Sequence, residues 1–239
     1  MSKIVIPSAD YAHMPEVCGL AKQYDMLYAA VGVHPDESGQ ERSIEDEIKL
    51  ARSLATHPKV VAVGEVGLDF FRLQVETYVQ ESEHQRQRLS AFWHLAKEMN
   101  LPIILHSRAA HPELIAEIKR LPYGPLAVVH CFTGDLAEAY QLLDLGLMIS
   151  VTGILTFKKS QALREVIKQI PLERLMLETD APYLAPEGRR GQESTPDMVW
   201  LVAQVLAELK GLSVQEIERE TDANAERFFN FQSLTAQIY

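Results

Sequence analysis

Cysteine is scarce in this chain. Cys18 and Cys131 are the only two among 239 residues, and they lack CxxC spacing, which excludes a disulfide-stapled scaffold and leaves reduced cytosolic thiols as the expectation. Basic charge is in deficit as well: 23 Lys and Arg stand against 33 Asp and Glu, for a formal net charge of −10. A protein that coats nucleic acid by counterion release carries a basic face, so that class is excluded. An enzyme that recruits phosphate through bound metal ions is not, because the ion supplies the local positive charge. Long apolar runs are missing too. The opening MSKIVIPSAD falls short of a signal-peptide core or a spanning helix, and the expectation is a cytoplasmic protein with no membrane association. No internal repeat, low-complexity tract or Pro/Gly/Ser linker divides the chain, so one domain over residues 1–239 is expected.

What the sequence does contain is a regular alternation. Short β-branched or apolar runs at residues 4–6, 27–33, 60–63, 102–105, 126–129, 147–151 and 174–177 each give way to a longer helical pattern. Residues 83–100 place Leu89, Phe92, Trp93, Leu95 and Ala96 at three- and four-residue steps, as an amphipathic helix requires, and residues 135–145 and 161–170 behave the same way. Thr195-Pro196 opens a further helix to about residue 209, with Pro at its first position, and Leu212-Ser213 caps another. Strands alternating with helices predict right-handed βαβ units, a parallel sheet and, at this length, an α/β fold of the TIM-like (β/α) barrel type. Seven strands are visible where such a barrel has eight.

In parallel α/β folds functional groups gather where strands end. The strand-end residues here are His34 (VGVHP), Glu65 (VGEVGLD), His106 (ILHSR), His130 (VVHCFTG) and Asp180 (LETDAPY). One such histidine alone is usually a solvated loop residue. Several at the ends of successive strands converge on one point, because strand ends of a barrel form a ring. The steps of 41, 24 and 50 residues from Glu65 through His106 and His130 to Asp180 are whole βα units. Mixed imidazole and carboxylate donors suit zinc, manganese or iron and, with more water, magnesium. Such an ion lowers the pKa of a water and polarises an ester or phosphoryl oxygen, and Asp180 is placed to take the proton.

The motifs GEVGLDF (64–70), LHSR (105–108), HCFTG (130–134) and ETDAPYLAP (178–186) resemble those of the TatD family, metal-dependent deoxyribonucleases and related hydrolases on an amidohydrolase-type barrel. The likeness also takes in GVHP (32–35), SVTGILTFK (150–158) and Arg190-Gly191. It implies up to two divalent ions per site, with Glu65 bridging them, His106 and His130 on one and Asp180 on the other. The chain departs from the family in having no HxH anywhere; members begin with a strand ending in that motif, which supplies two more ligands. MSKIVIPS matches the family's second strand, so the expectation is that the first βα unit, roughly 30 residues, is missing, through an internal start or a truncated gene. Asp36 replaces a histidine frequent after GxHP, and Ser194 an asparagine frequent after RG.

Arg108 and His34 are expected to face substrate, the guanidinium holding a phosphate bidentately, though Arg108 could equally form a rim salt bridge. Lys158-Lys159 and Arg189-Arg190 suit a neighbouring backbone phosphate or are plain surface charge. Asp69 is placed to orient a ligand or to cap the next segment; Phe70, Phe71, Phe132 and Tyr183 could stack on a base or fill the core. His84, His94 and His111 fall in helical patterns and are taken as structural. The expected function is metal-dependent cleavage of phosphodiester bonds in DNA, by activated water and with no obligate protein partner. A metal hydrolase of lactones, amides or other phosphoesters, and a barrel without catalysis because the HxH ligands are absent, are the alternatives.

Overall fold

A computed structural model of the chain describes residues 2–37 and 42–231. Strands and helices alternate: β1 (Ile4–Pro7), α1 (His13–Gln23), β2 (Leu27–Val31), α2 (Ile44–Leu54), β3 (Val60–Asp69), α3 (Tyr78–Glu98), β4 (Ile103–Arg108), α4 (His111–Arg120), β5 (Ala127–Val129), α5 (Leu136–Asp144), β6 (Met148–Val151), α6 (Gln161–Gln169), β7 (Leu175–Leu177), α7 (Val199–Lys210) and α8 (Val214–Phe229). All seven expected strands are present. No helix among the described residues is long and apolar enough to cross a membrane. Packing groups the chain into two compact units, one running to Val128 and resuming at Phe229, the other from Val129 to Phe228.

In the first unit β1, β2, β3 and β4 are parallel neighbours in chain order, registered through Ile4↔Leu27, Ala29↔Val60 and Val63↔Ile103. Strands covered on both faces become continuous apolar runs, and every residue of β3 except Glu65 is buried. β3 extends six residues past the expected end at Val63. Between Val63 and Val66 its register to β4 slips, so one extra residue sits in the Gly64-Glu65 step. Such a bulge re-aims a side chain, here Glu65. Gly67 then pairs with His106, and a Cβ on it would lie 2.1 Å from the His106 carbonyl oxygen; one on Gly64 would lie 2.9 Å from the Ile104 carbonyl oxygen. Both positions need glycine for β3 to approach β4 this closely, and both have positive φ, +144° at Gly64 and +155° at Gly67.

The apolar stripe expected on α3 is the stripe observed: Leu89, Phe92, Trp93, Leu95 and Ala96 are all buried. The helix starts at Tyr78, five residues before the periodic pattern begins. From its inner face Gln85 reaches the end of β3, where its Oε1 accepts from the Asp69 N–H at 2.9 Å and its Nε2 donates to the Asp69 carbonyl at 3.0 Å. This two-point clamp satisfies backbone groups that a strand end leaves open.

In the second unit β6 and β7 are parallel, with Ile149↔Leu175 and Val151↔Leu177. Asp135 and Glu138 form a capping box that starts α5. Asn224 of α8 donates to the carbonyls of Leu172 and Leu175 and so holds the entry to β7. Pro196 opens a short 3-10 turn, Pro196–Met198, from which α7 continues, and α7 ends on Gly211 in the left-handed region. Lys210 donates to the carbonyls of Ile167, Lys168 and Ile170, closing the C-terminus of α6.

Candidate metal centre

Each unit presents polar side chains at its strand ends. In the first, His34 lies three residues beyond β2, while Glu65 and His106 project from within β3 and β4, although the sequence places them just past their strands. Their ligand atoms all lie within 4.8 Å of one another. His106 Nδ1 is 2.5 Å from Glu65 Oε1 and 3.3 Å from His34 Nε2, and His34 Nε2 is 3.7 Å from Glu65 Oε1.

Hydrogen-bond partners assign the tautomers. His106 Nε2 is 3.2 Å from Asp69 Oδ2. Burial raises the Asp69 carboxyl, but the His106 contact, the Phe71 N–H on Oδ1 and the charges of His106 and Arg108 outweigh it, so its pKa falls below the usual carboxylate range. A carboxylate only accepts, so both ring N–H groups of His106 face carboxylates, Nε2 toward Asp69 and Nδ1 toward Glu65, and an ion bound at Nδ1 would displace that second proton. The 2.5 Å between Nδ1 and Glu65 Oε1 is the distance of a short hydrogen bond, and imidazole with carboxylate is a donor set that suits a divalent ion in place of that proton. His34 is built differently. Burial first, and then the neighbouring His106, push its imidazolium down to about 4 against the pull of Glu65, Asp69 and Asp36, so the ring is neutral at pH 7. Its Nδ1 accepts the Asp36 N–H at 3.0 Å, which leaves the hydrogen on Nε2. In that tautomer His34 donates a hydrogen bond into the cluster and has no lone pair there for an ion.

The second unit holds His130, directly after β5, and Asp180, three residues after β7. Asp180 adopts φ 56°, a left-handed conformation that a short polar side chain tolerates, and its carbonyl accepts the Tyr183 N–H. Glu178, which the strand-end reading missed, organises this cluster. Its Oε1 accepts from the Cys131 N–H at 2.7 Å and from the Ser150 hydroxyl, and its Oε2 faces His130 Nδ1 at 3.4 Å. Burial raises its pKa, but His130, Ser150 and the Cys131 N–H together bring it below the ordinary value. The carboxylate therefore draws the proton of His130 to Nδ1 and leaves Nε2 as the ligating nitrogen, opposite to His106. Period two was the available signal, since Glu178 and Asp180 alternate along one backbone. A Glu178→Gln variant keeps an acceptor for Cys131 and Ser150 but holds His130 less firmly; divalent-ion affinity by calorimetry should drop about 10- to 100-fold with thermal stability little changed. An unchanged affinity would count against this role.

The other sequence candidates fall in definite places. Arg108 ends β4 with its guanidinium 4.0 Å from the centre of the Phe71 ring, and among the described residues that guanidinium forms no salt bridge or hydrogen bond. The rim salt bridge is therefore not formed there. Asp36 instead pairs with Arg72 at 2.9 Å. Arg190 lies over the ring of Phe157 at 4.1 Å, and Lys158 is 3.8 Å from Glu187. Phe70 and Phe132 are buried, while Phe71 and Tyr183 are exposed. Burial, outweighing His130, pushes the Cys131 thiol up to about 12, so this cysteine is no nucleophile.

Imidazole and carboxylate donors at the strand ends of an α/β fold are the ligand set a metal-dependent hydrolase uses. Comparison with known proteins makes the class particular. The family profile described as TatD related DNase matches residues 1–230. The metal-dependent hydrolase YcfH of Escherichia coli strain K12 is 38% identical over 230 residues, covering 95% of this chain and 82% of the relative. The 3'-5' ssDNA/RNA exonuclease TatD of Pantoea ananatis is 38% identical over 213 residues, covering 86% and 78%. The crystal structure of YJJV, a TatD homolog from Escherichia coli K12, superimposes with a TM-score of 0.86 at 36% identity, covering 96% of this chain and 87% of that one. The chain belongs to the TatD family. It is a metal-dependent hydrolase of ester bonds with the TIM-like barrel fold class of TatD structures.

Proposed function

We propose that the chain is a divalent-ion-dependent nuclease, removing nucleotides from single-stranded DNA ends in the cytoplasm. The observation that carries this reading is the Glu65–His106 pair, carboxylate and imidazole 2.5 Å apart, beside an Arg108 whose guanidinium forms no salt bridge or hydrogen bond among the described residues. Relatives named as 3'-5' ssDNA/RNA exonucleases support it. Glu65 and His106 in the first unit, and His130 and Asp180 in the second, are the residues that would hold divalent metal, be it magnesium, manganese or zinc. Bound there, a divalent ion lowers the pKa of water and offsets charge on a phosphoryl oxygen. Asp180 takes the proton released from the attacking water. Arg108 holds two phosphoryl oxygens through its forked N–H groups, and the gain is largest as charge builds on them. His34, neutral with its hydrogen on Nε2, donates toward the same oxygens. With water as nucleophile, no covalent enzyme intermediate forms.

The test is release of nucleotides from end-labelled single-stranded DNA with and without chelator, next to a panel of lactones and carboxylate esters. Magnesium- or manganese-dependent release of mononucleotides is expected, with loss on chelation and recovery on adding the ion back. Turnover of a lactone with intact DNA would move the substrate class away from nucleic acid.

A further inference from the structure

Phe71 presents an aromatic surface that folding does not explain. It is 62% exposed, on a turn directly after β3, while its neighbour Phe70 is buried and meets Tyr78 edge to face at 5.6 Å. The chain thus directs one phenyl group inward as an anchor and the other outward. The outward one is also fixed in place. Its N–H donates to Asp69 Oδ1 at 3.0 Å, and the second oxygen of that same carboxylate contacts His106 Nε2. One side chain therefore sets the position of both a candidate metal ligand and the Phe71 backbone. Arg108 completes the arrangement with its guanidinium 4.0 Å from the ring centre and its N–H groups unengaged among the described residues.

We propose that Phe71 is the base-stacking platform of the site, receiving the nucleobase at or next to the scissile bond while Arg108 receives the adjoining phosphate. The inference rests on the nuclease reading and adds to it the feature that selects the substrate. An aromatic face in contact with a guanidinium whose N–H groups are open among the described residues matches the two chemistries of a nucleotide, a flat π surface and an anion. Neither half suits a simple ester or lactone. Bases in a duplex are stacked on both sides and leave no face for a phenyl ring, so the platform selects single-stranded or frayed ends. It also tolerates any base, because every base has a π face.

The experiment uses the full chain in chelator, where binding is read without cleavage. Fluorescence anisotropy compares a single-stranded oligodeoxynucleotide with an otherwise identical one that is abasic at its last two 3' positions. Wild type should prefer the base-bearing end by on the order of 10- to 100-fold. Phe71→Ala should lose that preference, Phe71→Trp should keep it, and Arg108→Ala should weaken both ligands by the same factor. Equal binding of the two oligonucleotides by wild type, or a preference that survives Phe71→Ala, overturns the proposal while leaving the nuclease reading intact if DNA is still hydrolysed. A wild-type protein that neither binds nor cleaves single-stranded DNA overturns both.

Discussion

A Glu65→Gln protein is expected to fold normally and to lose hydrolysis, with kcat/KM down by about 10³-fold or more, an effect of about 4 kcal/mol on the barrier. The change is isosteric and removes the negative charge whose Oε1 stands 2.5 Å from His106 Nδ1. In the metal-free protein the amide oxygen still accepts a hydrogen bond from His106 Nδ1, so stability is little changed. The loss therefore shows in ion-dependent stability. An ion at 100 times its dissociation constant stabilises the wild type by about 2.7 kcal/mol, and the variant should show little of this increment in a manganese titration followed by thermal unfolding. Asp69→Asn should lie between the two. Asp69 acts through His106, and loss of such a supporting carboxylate weakens ion binding by about 10- to 100-fold. Full manganese stabilisation of Glu65→Gln would remove Glu65 from the ligand set.

The frame of this fold is legible because parallel strands covered on both faces become unbroken apolar runs, and amphipathic helices keep a strict period. That is why all seven strands and the stripe on α3 are visible in the sequence. β3 shows where such reading stops. Gly64, Glu65 and Gly67 look like a turn after Val63, yet the strand continues to Asp69, because its glycines meet the backbone of β4 instead of bending the chain. Strand-end logic finds Glu65, His106, His130 and Asp180 by residue type. It says nothing of which ring nitrogen is free, since that depends on Asp69 for His106, on Glu178 for His130 and on a backbone N–H for His34. Such partners lie two residues away or 48 residues away with equal ease, and no local pattern marks them. His84, taken as structural from the sequence, meets its partner along α3, where its Nε2 lies 3.2 Å from an Arg88 guanidinium nitrogen.

That arginine is the basis of the largest stability effect expected here. Arg88 on α3 and Glu47 on α2 are each 2% exposed, and they meet through Nε to Oε2 at 2.9 Å and Nη2 to Oε1 at 3.0 Å. Nη1 also donates to the Glu37 carbonyl at 3.2 Å. The sequence hides the pair, because its members are 41 residues apart and each sits in a helix whose charges look solvated. Removing one partner leaves the other charge buried, so Arg88→Met or Glu47→Leu alone should cost about 3–5 kcal/mol in urea unfolding. The double variant should recover most of this, since an apolar pair of similar volume avoids desolvating two charges. His84 adds a dependence on pH. Burial and then the charge of Arg88 hold its pKa below the ordinary value, against the pull of Glu47. Without Arg88 that repulsion is gone and the carboxylate remains, so His84 takes up a proton more readily in the folded variant and partly compensates Glu47. The penalty of Arg88→Met should accordingly be smaller at pH 5.5 than at pH 8, and replacing His84 by Gln in that background should erase the difference. A cost that stays below about 1 kcal/mol at both pH values is what an exposed pair would give, and it would mean that the carboxylate of Glu47 is solvated.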